Sequence, residues 1–147
     1  MSAQRILPSN VSPEIYKTLV KYDTQIYTES SLDKELIELI KIKVSQLNGC
    51  AFCIDMHSKQ ALALGASNRK LLLLNAFEEA SLFSQEEKAA LKWAEGLTFI
   101  KGIGAKEQYY QALKEYFSDK EIVDLTYLIG LINVWNRLAI SMIYDVA

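Results

Sequence analysis

Residues 38–57 read ELIKIKVSQLNGCAFCIDMH and contain both cysteines and the only histidine of the 147-residue chain. A mostly apolar run ends at Asn48-Gly49, and the next eight residues hold Cys50, Cys53 and His57. If a helix begins just after Gly49, side chains three and four positions apart share one face of it. The spacing therefore predicts that the two thiols and the imidazole lie along a single stripe.

The start of a helix is a favourable place for reactive thiols. A thiol attacks as its thiolate, and its pKa of about 8.5 falls at a helix N-terminus, near a cation or in a Cys-x-x-Cys pair. The helix dipole favours negative charge at Cys50 and Cys53, and His57 lies one turn further on, within reach to exchange a proton. Cβ atoms at i and i+3 are about 5–6 Å apart, so a small adjustment allows a disulfide. We predict a pair that cycles between dithiol and disulfide.

Together with Glu38, these residues resemble the motif of a known family. Glu38, Cys50, Cys53 and His57 match the Glu-x11-Cys-x2-Cys-x3-His pattern of the AhpD-like alkylhydroperoxidases, members of the wider carboxymuconolactone decarboxylase superfamily. The likeness is to the shorter core-domain branch, because Phe52 stands where AhpD proper has a second histidine. It extends over most of the chain, through Leu32-Asp33, Gly65, Phe83-Ser84, residues 87–91, residues 93–95 and residues 131–137.

The resemblance implies a fold and an activity. The implied fold is an all-α, AhpD-like bundle of about six to seven helices, usually assembled as trimers or hexamers. The implied activity is that of a cysteine peroxidase or thiol–disulfide oxidoreductase, with an organic hydroperoxide or hydrogen peroxide as substrate and an external thiol or dithiol as reductant. No cofactor and no metal are expected.

The resemblance also implies a role for each motif residue. Cys53 is expected to react with the peroxide and become a sulfenic acid, Cys50 to resolve it as a Cys50–Cys53 disulfide, and Glu38 and His57 to relay protons. The residues alone leave the order of the cysteines open. The helix dipole favours Cys50 slightly, because it is nearer the helix start, whereas adjacency to His57 favours Cys53.

Glu38 is a carboxylate in apolar company, which predicts either a buried partner or a simple pairing with Lys34 or Lys41. A rise of about 1.5 Å per residue places Glu38 roughly 16 Å and His57 roughly 12 Å from the Asn48-Gly49 turn. Direct contact between them therefore requires a crossing angle or a bridging water. With burial, we expect the pKa of Glu38 to rise, which would make it a base near neutral pH.

Further candidates lie outside the motif. The aromatic residues Tyr27, Phe52, Trp93 and Trp135 are candidates for an apolar pocket that holds an organic hydroperoxide, although core packing explains each of them as well. Arg137 is polar in apolar surroundings. It either neutralises a carboxylate near the site or joins a structural network.

Composition sets the class of protein. Half of the residues are hydrophobic and 23% are charged, which predicts one globular domain, residues 1–147. A net charge of −2 leaves no polybasic surface for nucleic acid or membranes, and no run reaches the roughly 18 apolar residues of a membrane span. The N-terminal sequence does not open like a signal peptide. Two closely spaced cysteines then indicate a functional pair in the reducing cytoplasm.

Capping signals divide the chain into helices. We predict an irregular lead over residues 1–11 and helices over about 13–28, 33–47, from Gly49 to Gly65, 69–80, 84–99, 105–117 and from Ser118 to about 145. Ser84-x-x-Glu87 and Ser118-x-x-Glu121 are capping boxes. No alternating polar and apolar run predicts a strand, so the fold is all-α. The apolar excess of the leucine-rich and terminal helices predicts a homo-oligomer.

Three other functions fit the same residues. Cys50, Cys53, His57 and Glu38 are a possible set of four tetrahedral zinc ligands in a metal-binding helical module, although structural zinc sites more often use two separated ligand pairs. A cofactor-free acid–base enzyme acting on a lactone or small keto acid, as in the decarboxylase branch, is the second. The third is a non-catalytic helical oligomer with inert cysteines. The retained cysteine pair argues against the decarboxylase-type enzyme.

Overall fold

The computed structural model describes residues 3–146, which form eight α-helices and one 3₁₀ turn. They are α1 (Pro8–Val11), α2 (Pro13–Glu29), α3 (Lys34–Asn48), α4 (Ala51–Ala63), α5 (Asn68–Leu72), the 3₁₀ turn (Leu74–Ala76), α6 (Gln85–Thr98), α7 (Glu107–Lys114) and α8 (Asp119–Ser141). This part of the chain contains no strand, so the all-α prediction is confirmed. None of its helices has the length and apolar character needed to cross a bilayer.

Helix α3 lies at the centre of the bundle. Every residue from Leu36 to Ser45 is buried, and the helix packs against α4, α6 and α8. A helix that is apolar on several sides needs neighbours on several sides, and the contacts with these three helices provide them. Its buried ammonium groups have polar partners, since Lys41 lies 2.8 Å from Asp23 and Lys43 lies 3.1 Å from Asn75.

Side-chain caps mark where five of the described helices begin, α3, α4, α5, α6 and α8. The carboxylate of Asp33 accepts a backbone N–H of the first turn of α3. Ser84 with Glu87, and Ser118 with Glu121, form complete capping boxes at the starts of α6 and α8. Each cap satisfies donors that a helix leaves unpaired at its N-terminus, and both capping boxes were predicted.

Several predicted boundaries are wrong. Residues 8–11 of the predicted irregular lead form the single turn α1, because Pro8 at its first position favours helical φ; this turn brings the number of helices to eight. Residues 1–2 of that lead lie outside the described range. The helix predicted at 69–80 is only α5 and the 3₁₀ turn, which carries Leu74 into the core. Helix α7 is shorter than predicted, and α8 ends at Ser141, shortly before Ile143 adopts a left-handed φ of 56°.

Gly96 in α6 lies where the helix meets the following loop. A Cβ at this position would overlap the backbone oxygen of Gly104. We expect Gly96→Ala to lower the free energy of unfolding by about 1–3 kcal/mol, because the backbone has to move. The matched control is Gly130→Ala in the interior of α8, where the added Cβ meets no atom within 4 Å and removal of a helical glycine should stabilise by about 0.5–1 kcal/mol. Denaturant unfolding measures both variants, and changes of the same sign would contradict the packing described.

Candidate active site

Helix α4 begins at the Cys-x-x-Cys pair. Gly49 has a left-handed φ of 72°, which glycine adopts readily, and it turns the chain from α3 into α4. Cys50 is the N-cap residue, and its sulfur accepts a hydrogen bond from the backbone N–H of Cys53 at 3.3 Å. The prediction of a helix that begins just after Gly49 is confirmed, with Cys50 as its cap and Cys53 in its first turn.

Cys50 and Cys53 are joined by a disulfide, and their Cα atoms lie 5.4 Å apart, which is a usual separation for such bonds. The predicted pair is therefore present. Both side chains are almost fully buried, with 1% of Cys50 and 2% of Cys53 exposed. They pack together with Ala139 of α8 and with Tyr144, just beyond that helix.

Glu38 and His57 touch each other directly. The carboxylate oxygen Oε2 of Glu38 lies 2.8 Å from the ring nitrogen Nδ1 of His57, and both side chains are buried. Helices α3 and α4 therefore cross closely enough for contact without a bridging water. Because an ionised carboxylate can only accept, we assign the proton to Nδ1, which leaves Nε2 free in the neutral ring.

Three donors surround the Glu38 carboxylate. His57 bonds to one oxygen, the hydroxyl of Tyr27 donates to the other, and the amide of Gln60, oriented to satisfy its neighbours, donates to both at 3.2 Å. Helix α2 supplies Tyr27, and α4 supplies His57 and Gln60. The carboxylate is thus fully hydrogen-bonded although it has no access to solvent.

These donors decide the charge of Glu38. Burial by itself raises the pKa of Glu38, but the hydrogen bonds from His57 and Tyr27 and the nearby charges of His57 and Lys41 outweigh it, and the pKa is lowered. The prediction that burial makes Glu38 a base near neutral pH is therefore wrong, since the donors stabilise its ionised form. At neutral pH Glu38 is an anion that holds and orients the imidazole.

A mostly apolar cleft of about 750 Å³ opens beside the disulfide. Cys53 and His57 lie in its wall, and Cys50 is not among the described residues that do. Three of the four predicted aromatic residues line it, namely Tyr27, Phe52 and Trp135. Trp93 does not line the cleft and belongs to the core, which was the alternative explanation for it. Its indole N–H donates to Thr126 at 3.0 Å, between α6 and α8, away from the cleft.

The polar residues of α8 serve the scaffold. The guanidinium of Arg137 donates to the backbone oxygen of Asn133, one turn earlier, at 3.0 Å. Asn136 is fully buried, donates to Ser45 and accepts from Asn48, each at 2.9 Å. These bonds satisfy buried amides, as burial requires, and they tie α8 to the end of α3, next to the turn into α4.

The metal-site alternative requires both cysteines as thiolates. Here their sulfurs are bonded to each other. Between residues 3 and 146, no group of three or more His, Cys, Asp or Glu side chains is arranged to hold a metal ion. The donor set present is therefore suited to thiol–disulfide exchange and unsuited to coordination in this state.

Sequence reasoning missed two donors of this site. Gln60 was not singled out, although it lies three positions after His57 and so shares its helical face, a signal that the sequence contains. Tyr27 was predicted only as pocket lining. Its bond to Glu38 depends on how α2 packs against α3, which no local spacing specifies.

Comparisons with known proteins give three kinds of likeness. The carboxymuconolactone decarboxylase family model matches residues 13–96. The uncharacterized protein YdfG of Bacillus subtilis (strain 168) is 40% identical over 141 residues, 95% of each chain. The crystal structure of ATU0492 from Agrobacterium tumefaciens, a protein of unknown function provisionally named as the antioxidant defence protein AhpD, superposes with a TM-score of 0.94 at 34% identity over 99% of both chains.

A more distant solved structure shares the fold alone. The debrominase Bmp8 superposes with a TM-score of 0.79 at 18% identity, over 92% of this chain and 72% of its own. Because one fold can carry different reactions, the chemistry of this chain has to be argued from its own site.

Proposed function

Because the chain belongs to the carboxymuconolactone decarboxylase family and has an AhpD-like fold, we propose that it is a thiol-dependent reductase of organic hydroperoxides. One observation carries the proposal: a redox-capable cysteine pair has one member, Cys53, in the wall of an apolar cleft and a buried carboxylate–imidazole pair one turn away. An apolar cleft of this size favours an alkyl or aryl hydroperoxide over hydrogen peroxide.

The proposed cycle starts from the dithiol. The Cys53 thiolate attacks the terminal oxygen of the hydroperoxide, so that an S–O bond forms, the O–O bond breaks, and the alkoxide takes up a proton and leaves as the alcohol. The Cys50 thiolate then attacks the sulfur of the sulfenic acid, and the hydroxide that is displaced leaves as water. Two external thiols, or one dithiol, supply two electrons and two protons to reduce the disulfide and become a disulfide themselves.

Two features support Cys53 as the peroxide-reactive residue and Cys50 as the resolving one. Of the two cysteines, Cys53 lines the cleft and Cys50 does not. Cys53 also lies four positions before His57 on α4, so the two side chains share a face. The N-terminus of α4 stabilises a thiolate at either sulfur, and access to the cleft therefore distinguishes them.

Glu38 and His57 form the proposed proton relay. The anionic carboxylate accepts the Nδ1 proton and fixes the ring, which leaves Nε2 to take the proton of the Cys53 thiol and return it to the departing alkoxide. This is the arrangement of a base held in place by a carboxylate. Glu38 itself remains charged through the cycle.

The proposal places the protein in the cytoplasm as a homo-oligomer, with the family likeness indicating a trimer or hexamer. Large apolar side chains stay exposed on the described chain, among them Val11, Ile15 and Leu72. Exposed apolar side chains are available for subunit contacts, which supports self-association.

A stoichiometric reaction tests the function. We expect the reduced protein to convert one equivalent of cumene hydroperoxide to cumyl alcohol and to lose two hydrogen atoms as the Cys50–Cys53 disulfide forms, because the peroxide accepts two electrons. Intact-mass spectrometry follows the protein and chromatography the alcohol. The double variant Cys50→Ser/Cys53→Ser is the control. A protein that keeps its thiols, or a control that forms alcohol equally fast, would contradict the proposal.

A further inference from the structure

We propose that Tyr27 is a positioning residue of the active site, which keeps the Glu38 carboxylate ionised and directed at His57. Tyr27 lies outside the Glu-Cys-Cys-His motif, eleven positions before Glu38 and on a different helix. Its hydroxyl donates to Oε1 of Glu38, while His57 bonds to Oε2. Each carboxylate oxygen thus has its own donor. The catalytic meaning of this contact rests on the proposed function, whereas the contact itself does not.

Two lysine side chains, Lys34 and Lys41, contact Tyr27 and restrict the position of its ring. The ammonium of Lys34 donates to the backbone oxygen of Tyr27 at 3.0 Å and lies 5.0 Å from the ring centre. The ammonium of Lys41 lies 5.2 Å from the same ring. Both distances are within the range of cation–π attraction. The ring also forms part of the cleft wall, so its hydroxyl has a fixed direction toward Glu38.

Tyr27 acts as a donor and does not exchange its proton. Burial, and next the hydrogen bond to Glu38, raise the pKa of Tyr27 well above its ordinary value. The hydroxyl is therefore protonated at neutral pH and below. Its effect on the reaction has to pass through the carboxylate that it contacts.

The titratable groups around Glu38 come from three helices. His57 faces it from α4, Tyr27 from α2 and Lys41 from α3 itself, and Asp23 of α2 lies beside Tyr27. The charge of Lys41 is balanced by Asp23 at 2.8 Å, and Asp23 also accepts from the indole of Trp135 at 3.1 Å. With Lys41 balanced in this way, hydrogen-bond donors carry much of the stabilisation of the Glu38 anion.

Loss of the Tyr27 hydroxyl leaves Glu38 equally buried with one donor fewer. The pKa of Glu38 then rises, because burial penalises the charged carboxylate and fewer hydrogen-bond donors remain to offset that penalty. A protonated Glu38 is a poorer acceptor for Nδ1–H, so the imidazole loses its fixed tautomer. The variant Tyr27→Phe should therefore lose its active geometry at a higher pH than the wild type.

The single histidine of the chain makes this measurable without any substrate. The imidazole NMR signal reports this site alone, because no second histidine exists. In the oxidised protein, we expect an acid inflection of the His57 signal that reports Glu38, is absent from Glu38→Gln, and moves to higher pH in Tyr27→Phe. The control is Tyr16→Phe, which removes a hydroxyl from the same helix and cleft, where Tyr16 packs edge-on against Trp135. An unmoved inflection in Tyr27→Phe, or an equal move in Tyr16→Phe, would overturn the proposal.

Activity provides a second readout. For cumene hydroperoxide, we expect kcat of Tyr27→Phe to be within about twofold of wild type near pH 8 and about tenfold lower near pH 5, with KM little changed. A uniform loss at both pH values would indicate a merely structural role. If the NMR inflection moves in Tyr27→Phe but the wild type does not reduce peroxides, the role of Tyr27 stands and the proposed function fails. If the wild type reduces peroxides but the inflection does not move, the proposed function stands and the role of Tyr27 fails.

Discussion

Replacing Cys53 by serine is expected to lower the turnover of cumene hydroperoxide by about 10³-fold or more, because the attacking atom of the proposed cycle is removed. A serine hydroxyl has nearly the same shape as the thiol but does not ionise near neutral pH. The side chain is 2% exposed. Because serine has nearly the same shape as cysteine, the fold should tolerate the change. Peroxide consumption coupled to the oxidation of dithiothreitol measures the loss.

The matched control is Cys50→Ser, which keeps the attacking sulfur and removes the resolving one. This variant should consume its first equivalent of peroxide at the wild-type rate and then stop as a sulfenic acid at Cys53, which dimedone traps. Cys53→Ser should give no trapped sulfenic acid. If the two variants behaved in the opposite way, Cys50 would be the attacking residue, as proximity to the helix start alone favours.

Replacing Glu38 by glutamine should have the second-largest effect, a loss of about 10²- to 10⁴-fold in kcat for peroxide reduction. The amide matches the carboxyl in shape but carries no charge, so the imidazole loses the anion that stabilises its protonated form. Glu35→Gln is the control, because Glu35 lies on the same helix, partly exposed and 3.6 Å from Lys70. Equal kcat values for the two variants would exclude Glu38 from the relay.

The same substitution should change how stability depends on pH. The pKa of Glu38 is lowered in the folded protein, so its contribution to stability is fully present above the ordinary carboxyl value and is lost as pH falls through the lowered, folded value. Glu38→Gln lacks this contribution. Its free energy of unfolding, measured by urea denaturation, should therefore decline less on acidification than that of the wild type.

Local sequence signals predicted much of the fold because they act over one helical turn. The capping boxes at Ser84 and Ser118 fix helix starts through bonds three residues long, and the glycine at position 49 fixes a turn through its own φ. Helix ends were predicted less well. Leu72 is 83% exposed and Leu74 is fully buried. The helix therefore ends within the leucine run because of tertiary packing, and no local sequence signal marks that end.

The sequence predicted which residues form the site, but it did not predict the direction in which the pKa of Glu38 shifts. The spacing of Cys50, Cys53 and His57 placed them on one helix, and the motif added Glu38. Whether Glu38 gains or loses proton affinity depends on the sum of burial and donors, and one donor, Tyr27, comes from a third helix. These contributions come from tertiary contacts, which a local sequence pattern does not specify. For this reason, reasoning from burial alone predicted a raised pKa for Glu38 where the pKa is lowered.

Both cysteines are almost fully buried, and Cys53 is the one that lines the cleft. In the proposed cycle, the oxidant and the reducing thiol must therefore approach the same atom from the same side. Neither can be present while the other reacts, so the alcohol has to depart before reduction can begin. Catalysis would then be a strict alternation of two half-reactions, in which the disulfide alone carries the electrons from one to the next.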